Sequence, residues 1–523
     1  MDFLLAIANF LVNEILSVPA FLIGIITAVG LAAMGRGTGK TIGGAIKATL
    51  GFLLISAGAG LVTDSLEPLG AMITGATGAQ GVVPTNEAIV GIAQDEFGSQ
   101  VAWIMILGFV VSLLLARFTP MSYVFLTGHH VLFMATLLTM VLAPAGYSSW
   151  VVIPFGAALL GILMVSLPAI PFTRRITGDD SVAIGHFGTA GYLAAGGVGK
   201  LVGGKGKKMS PSTEDLKLPE GLRFLRDSMV ATALSMALMY VVLAVLFIAR
   251  AGTEEAFTAF PDGASNVGNF LMQSVTQGLQ FGVAVAVILF GVRTILGELV
   301  PAFQGIAAKV VPGAIPALDA PIVFPYAQNA VLIGFISSFL GGLVGLAVLS
   351  TWLNPAFGVA LILPGLVPHF FTGGAAGVYG NATGGRRGAA LGAFVNGLII
   401  TFLPAFLLGV LGSFGSANTT FGDADFGWLG LLLGWSIHAD GALGLVFIAL
   451  IALAILALGW VCQRKLVDAH WDPTPHRPSP TSNADAAATS GATGAATSSG
   501  TAKKYPKVLP PEGAPVPPAL IDH

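Results

Sequence analysis

"GLVTDSLEPLGAMITGATGAQGVVPTNEAIV" (residues 60–90) resembles "RTILGELVPAFQGIAAKVVPGAIPALDAPIV" (293–323), and that likeness governs how the rest of the chain is read. With one residue of gap, Pro68 faces Pro301, Gly81 faces Gly313, Pro84 faces Pro316 and Glu87 faces Asp319. Further on, "LGFVVS" (107–112) resembles "IGFISS" (333–338), and "FLTGHHVLF" (125–133) resembles "ILPGLVPHFF" (362–371). Three features in the same order make an internal repeat. An odd number of membrane spans between the copies would set them in opposite orientations. Inverted repeats mark alternating-access transporters, with the substrate held near the midplane by Gly- and Pro-broken helices.

Composition places the chain in a membrane. Of 523 residues, 54% are hydrophobic and 10% charged, with mean hydropathy +0.84. Soluble domains carry about 25% charged residues. Runs such as "VVIPFGAALLGILMVSLPAI" (151–170) and "LGLVFIALIALAILALGWVC" (443–462) reach the length of about 20 residues that crosses a bilayer. They lack the short alternating segments of a β-barrel. The fold class expected is an all-α polytopic membrane protein with about eleven transmembrane helices, starting near residues 15, 42, 98, 122, 149, 228, 278, 326, 355, 388 and 440. The 70 glycines suit close helix packing and helix breaks.

"GRGTGKT" (35–41) suggests a nucleotide phosphate loop, but the spacing fails. That loop needs Gly, four residues, then Gly-Lys-Ser/Thr. The first glycine would fall on Met34. The stretch reads as a basic turn between two spans. The net charge of −2 gives no reason to expect a nucleic-acid partner, and the single Cys462 cannot form an internal disulfide or a cysteine metal cluster. No cofactor and no metal site are expected, since no ligand spacing recurs among the histidines.

Basic clusters mark cytoplasmic loops. The richest runs from Lys200 to Arg226, whereas residues 250–265 are mostly acidic. The opening "MDFLLAIANFLVNEIL" has neither a basic start nor a small-residue cleavage site, and reads as a retained helix. An outside N-terminus and a cytoplasmic C-terminus agree with an odd span count. From residue 470 Pro, Ser, Thr, Ala and Gly dominate. The membrane domain is therefore expected over 1–465, followed by a disordered cytoplasmic tail over 466–523.

Polar residues inside spans are candidates for function by default. His129 and His130 lie in an apolar helix, and His186 in "VAIGHFGTAGYLAAGG", too glycine-broken for a plain span and suited to a re-entrant hairpin. Glu87 and Asp319 occupy matched repeat positions; Asn86, Gln328, Asn329 and His369 complete the set. Carboxylates accept from hydroxyls, while His and Asn donate or accept, which suits a polyhydroxyl solute. The alternative is hydrogen bonding between helices with no ligand. Arg293 and Glu298 are expected to form an internal pair or a cap.

At these residues the chain resembles the ascorbate-type enzyme IIC of the bacterial phosphotransferase system. "FLTGHHVLF", "SVAIGHFG", "STEDLKLPEGL", "GVRTILGELVPAFQGI", "PGAIPALDAPIVFPYAQNAVLIGF" and "LILPGLVPHFF" carry the likeness, from about residue 15 to about residue 462. The resemblance implies a homodimer in the bacterial plasma membrane. In each chain a scaffold dimerises and a core carries L-ascorbate, or a related sugar, by an elevator movement. It implies that the chain is no enzyme. Phosphate passes from a IIA protein to a IIB protein and then to the sugar, so the chain needs no nucleotide loop. The substrate contacts it implies fall on Asn86, Glu87, His129, His130, Phe133, His186, Phe187 and Asp319. Of these His129, His186 and Asp319 keep the family's type. Phe133 and Phe187 stand where glutamines are expected, and Asn86–Glu87 where a hydroxyl residue and a tyrosine are. These departures leave room for a neutral pentose or polyol. The rival reading is a proton-coupled secondary transporter of the same fold, with Glu87 and Asp319 as proton sites.

Overall fold

The structure, a computed structural model, describes residues 18–171, 173, 176, 183–204, 208–216, 228–439 and 441–473. The expected N-terminal helix before residue 18, the basic residues 217–227 and the expected tail beyond 473 lie outside the described residues.

Helices dominate. They are α1 (Pro19–Ala33), α2 (Thr38–Thr77), α3 (Asn86–Phe118), α4 (Gly128–Leu142), α5 (Ser149–Ala169) and α6 (Thr189–Val202). The second half adds α7 (Ser228–Ala251), α8 (Val267–Val310), α9 (Gln328–Val348), α10 (Leu366–Leu407), α11 (Ala424–Ile437) and α12 (Ala442–Cys462). Among the described residues eight helices are long and apolar enough to cross a membrane, and three apolar helices are shorter. Ile42, Ile46, Leu50 and Leu53 on α2, and Leu443, Val446, Leu450 and Leu453 on α12, are exposed. Such stripes are costly in water and suit lipid.

Only the first three residues of "GRGTGKT" lie in the turn between α1 and α2, with Gly35 at φ 70°, and Thr38–Thr41 already form the start of α2. The expected spans near 355 and 388 become the two arms of α10. At Gly385 the backbone turns non-helical (φ 58°, ψ −149°) and the chain folds back on itself. The Asn396 amide reaches Thr372 Oγ1 at 3.1 Å, which only antiparallel arms allow. A residue with a Cβ is strained at that φ.

Helices α1, α2, α7 and α8 form one packed group, and α3 packs on α4 and α5. A separate small core joins α6 and α9 to the arms of α10. There α9 and α10 touch backbone to backbone: a Cβ on Gly377 would lie 2.2 Å from Ala330 O, and one on Gly334 would lie 2.3 Å from Gly373 O.

The Gly/Pro breaks of the repeat become extended chain, which an all-helical expectation does not include. Among the described residues six short strands form two parallel three-stranded sheets: β1 (Gly81–Pro84), β2 (Tyr123–Phe125), β3 (Ala183–Ile184), β4 (Ile315–Leu318), β5 (Leu361–Ile362) and β6 (Thr419–Thr420). Their orders are β5-β1-β6 and β2-β4-β3. Each central strand is the repeated Pro segment of one half, and both its neighbours come from the other half. Val82 pairs with Ile362 and Val83 with Thr419, while Val124 pairs with Pro316 and Ile184 with Leu318. Pro84 has no N–H to give, so the ladder runs on through Val83 N to Asn418 O (3.1 Å) and Thr85 N to Thr420 O (2.9 Å).

Candidate functional site

The crossed sheets deliver the next residues of each strand to one place. Glu87 follows β1 and Asp319 follows β4, so the two matched acids of the repeat meet. They line a cavity of about 160 Å³ together with Asn86, His129, His130, Phe133, His186 and Asp423. Arg293 and apolar residues of α8 close another wall. The larger cavity of about 1200 Å³, between the C-terminal part of α2 from Thr63 with the following Gly78 and the 413–418 turn, contains none of the repeat's histidines.

Three imidazoles converge on Asp319. His129 Nε2 lies 3.3 Å from Oδ2, and His130 Nε2 and His186 Nε2 each lie 3.9 Å from Oδ1. The shorter contact is an ion pair when His129 is protonated. The two longer gaps exceed a direct hydrogen bond. Asp319 Oδ1 also accepts from Ala320 N at 2.7 Å, which fixes the carboxylate's direction. The His130 and His186 rings lie 3.9 Å apart between centres, tilted by 51°, and His130 Nδ1 is buried with no hydrogen-bond partner among the described residues.

Each half also pins the other beside the cavity. Asn86 Nδ2 donates to Asp423 Oδ2 (2.8 Å), and Gly422 N donates to Asn86 Oδ1 (2.8 Å). Both ends of the Asn86 amide are thereby committed. Asp425 accepts from Thr189 N (2.7 Å), Ala190 N (2.9 Å) and Trp428 Nε1 (2.8 Å). It caps α6 from across the repeat, satisfying N–H groups that a helix start leaves unpaired. Its own N–H donates to Phe187 O at 2.9 Å, so the His186 loop is held on both sides.

Of the eight expected contacts, only Phe187 stays outside the lining. Its ring is buried against Phe125 (5.3 Å) and Phe426 (5.5 Å), where it packs rather than faces solute. His369 also lies elsewhere, its Nδ1 2.9 Å from Ser338 Oγ between α9 and α10. Asn329 is bound by the "STED" loop: its amide donates to Thr213 O (3.0 Å) and Leu216 O (2.6 Å). Gln328 does not line the cavity either. The expected Arg293–Glu298 pair is corrected. Five residues on one helix stand roughly 140° apart, and Glu298 pairs instead with Lys47 at 2.8 Å. His129, His130 and Asp319, and separately His130, His186 and Asp423, bring ligand-type atoms within 4.8 Å of one another. Asp423 and Asp425 escaped the sequence reading, although two carboxylates in the apolar "TTFGDADFGW" (419–428) were the signal.

A small polar cavity built from both halves of a crossed repeat, inside a bundle of apolar helices, is the arrangement of a solute permease. The family model described as the phosphotransferase system (PTS) sugar-specific permease component matches residues 14–425. The chain belongs to that family. It is 27% identical over 447 residues to a protein of Mycoplasma pneumoniae named ascorbate-specific PTS system EIIC component. That alignment covers 78% of this chain and 67% of the relative.

Proposed function

We propose that this chain carries L-ascorbate or a related sugar through the cavity, for phosphorylation by a separate IIB protein that is itself charged by IIA. The carrying observation is the 3.9 Å gap between His186 Nε2 and Asp319 Oδ1. One hydroxyl oxygen about 2.8 Å from each atom fills it, accepting from the ring and donating to the carboxylate. The family and the relative's name support the coupling to phosphate. In this reading α1, α2, α7 and α8 are the scaffold of a homodimer, and the remaining helices are a core that moves as an elevator. In the same reading the N-terminus is outside and the C-terminus cytoplasmic.

Uptake of labelled ascorbate, with and without IIB, tests this. The expected label inside the cell is a phosphate ester that disappears without IIB. Unmodified ascorbate accumulating without IIB would replace this reading with proton-coupled transport through Glu87 and Asp319. No uptake in either case would send the search to neutral pentoses and polyols.

Glu87 bears on that choice. When ionised it adds negative charge to the wall that an anionic solute must approach, with Arg293 also in the lining. In a site of low dielectric a nearby like charge opposes binding. Glu87→Gln is expected to lower the KM for ascorbate several-fold. An unchanged or higher KM would show that Glu87 does not select against anions.

A further inference from the structure

The cavity reading leaves open what fixes His186, whose imidazole has two nitrogens and two neutral tautomers. The answer lies six residues on, in the first turn of α6. Tyr192 is fully buried, and its hydroxyl lies 2.9 Å from His186 Nδ1, on the side of the ring away from Asp319. Among the described residues that nitrogen is the phenol's hydrogen-bond partner. If Nδ1 carried the proton, the phenol O–H would be left without an acceptor in a dry site, and buried donors are rarely left so. The consistent assignment has the Tyr192 O–H donating to Nδ1, which puts the imidazole proton on Nε2. Nε2 is the nitrogen that faces Asp319 and the cavity.

We propose that Tyr192 is a positioning residue that holds His186 as the Nε2–H tautomer, so that His186 presents a donor to an oxygen of the solute. The proposal rests on reading the cavity as the solute site. Gly188 is part of the same device. A Cβ there would lie 2.6 Å from the Tyr192 hydroxyl oxygen and 3.1 Å from His186 Nδ1, so a larger residue would wedge the pair apart. Tyr192 in turn stacks on Tyr379 at 5.5 Å, and Tyr379 shares a 2.6 Å hydrogen bond with Thr173. The phenol is therefore braced from behind. The Asp425 cap on Thr189 and Ala190 holds the turn that spaces His186 from Tyr192.

The test is nitrogen NMR of the full-length protein in detergent, labelled at histidine, with the His186 signals assigned by their loss in His186→Asn. It is recorded without solute, so it does not depend on what is transported. Wild type is expected to show a protonated Nε2 and an unprotonated, hydrogen-bonded Nδ1. In Tyr192→Phe the Nδ1 signal should shift, with the proton shared between both nitrogens. A proton on Nδ1 in wild type would overturn the proposal, even if the variant failed to fold. So would a His186 spectrum unchanged in Tyr192→Phe. Losing one such hydrogen bond should raise the transport KM roughly fivefold to tenfold with the maximal rate little changed. An unchanged KM beside a changed spectrum would overturn the donor role of His186. A correct spectrum in a protein that carries no sugar would sink the functional reading alone.

Discussion

Asp319→Asn is expected to reduce solute uptake at least a hundredfold while leaving yield and hydrodynamic size as in wild type. Asp319 sits where three imidazole nitrogens point, at 3.3, 3.9 and 3.9 Å. Each hydrogen bond to a charged group is worth about 1.5–3 kcal/mol. The carboxylate supplies one to His129 and, in the proposed function, one to a solute hydroxyl. An amide keeps the shape but loses the charge and turns one acceptor into a donor facing N–H groups. Two such losses account for the expected factor. The side chain is 38% exposed, so little of the fold rests on it. Uptake near wild type would remove Asp319 from the solute site, and a collapsed chromatographic peak would reassign it to structure.

Gly377→Val is expected to abolish folded protein altogether. Gly377 meets Ala330 O and Gly334 Cα with backbone on both sides, so no flexible side chain is available to yield. Valine there forces α9 and the first arm of α10 apart. It opens the small core of Ala330, Val331, Phe335 and Phe370 and strains the His369–Ser338 hydrogen bond behind it. Overpacking an ordinary core costs roughly 1–3 kcal/mol, and a backbone-on-backbone contact exceeds that. Gly60→Val is the control, since a Cβ on Gly60 meets nothing within 4 Å. Size-exclusion profiles in mild detergent separate the two. A monodisperse peak for Gly377→Val with wild-type thermal stability would refute the close-packing argument.

Much of this architecture was written in long signals. Apolar runs announced the helices, and the paired prolines at 84 and 316 announced the repeat. His129, His130, His186, Glu87 and Asp319 stood out because charge inside a membrane segment is costly, and all five line one cavity. Short signals were lost. Ala183–Ile184, Leu361–Ile362 and Thr419–Thr420 are two residues each, too short for any periodicity, so neither the sheets nor their crossing could be read. Gly385 is one glycine among many in its helix, and only its dihedral angles reveal the hairpin. Asp425 works through the start of a helix more than two hundred residues away, a partnership invisible in one dimension.

The crossed sheets also impose an order on synthesis. Val83 must wait for Thr419, made 336 residues later, before its second neighbour exists. The sheet centred on Ile315–Leu318 has all its strands once residue 318 has left the ribosome, but the one centred on Gly81–Pro84 gains both partners only at Thr420. Closing such distant contacts is slow, because chain entropy is spent before the contacts form. The first half therefore enters the bilayer with open strand edges. The pocket is complete only once Thr420 and Asp423 have been made, and a nascent chain stopped short of Thr420 lacks α11, α12 and a partner of its central strand.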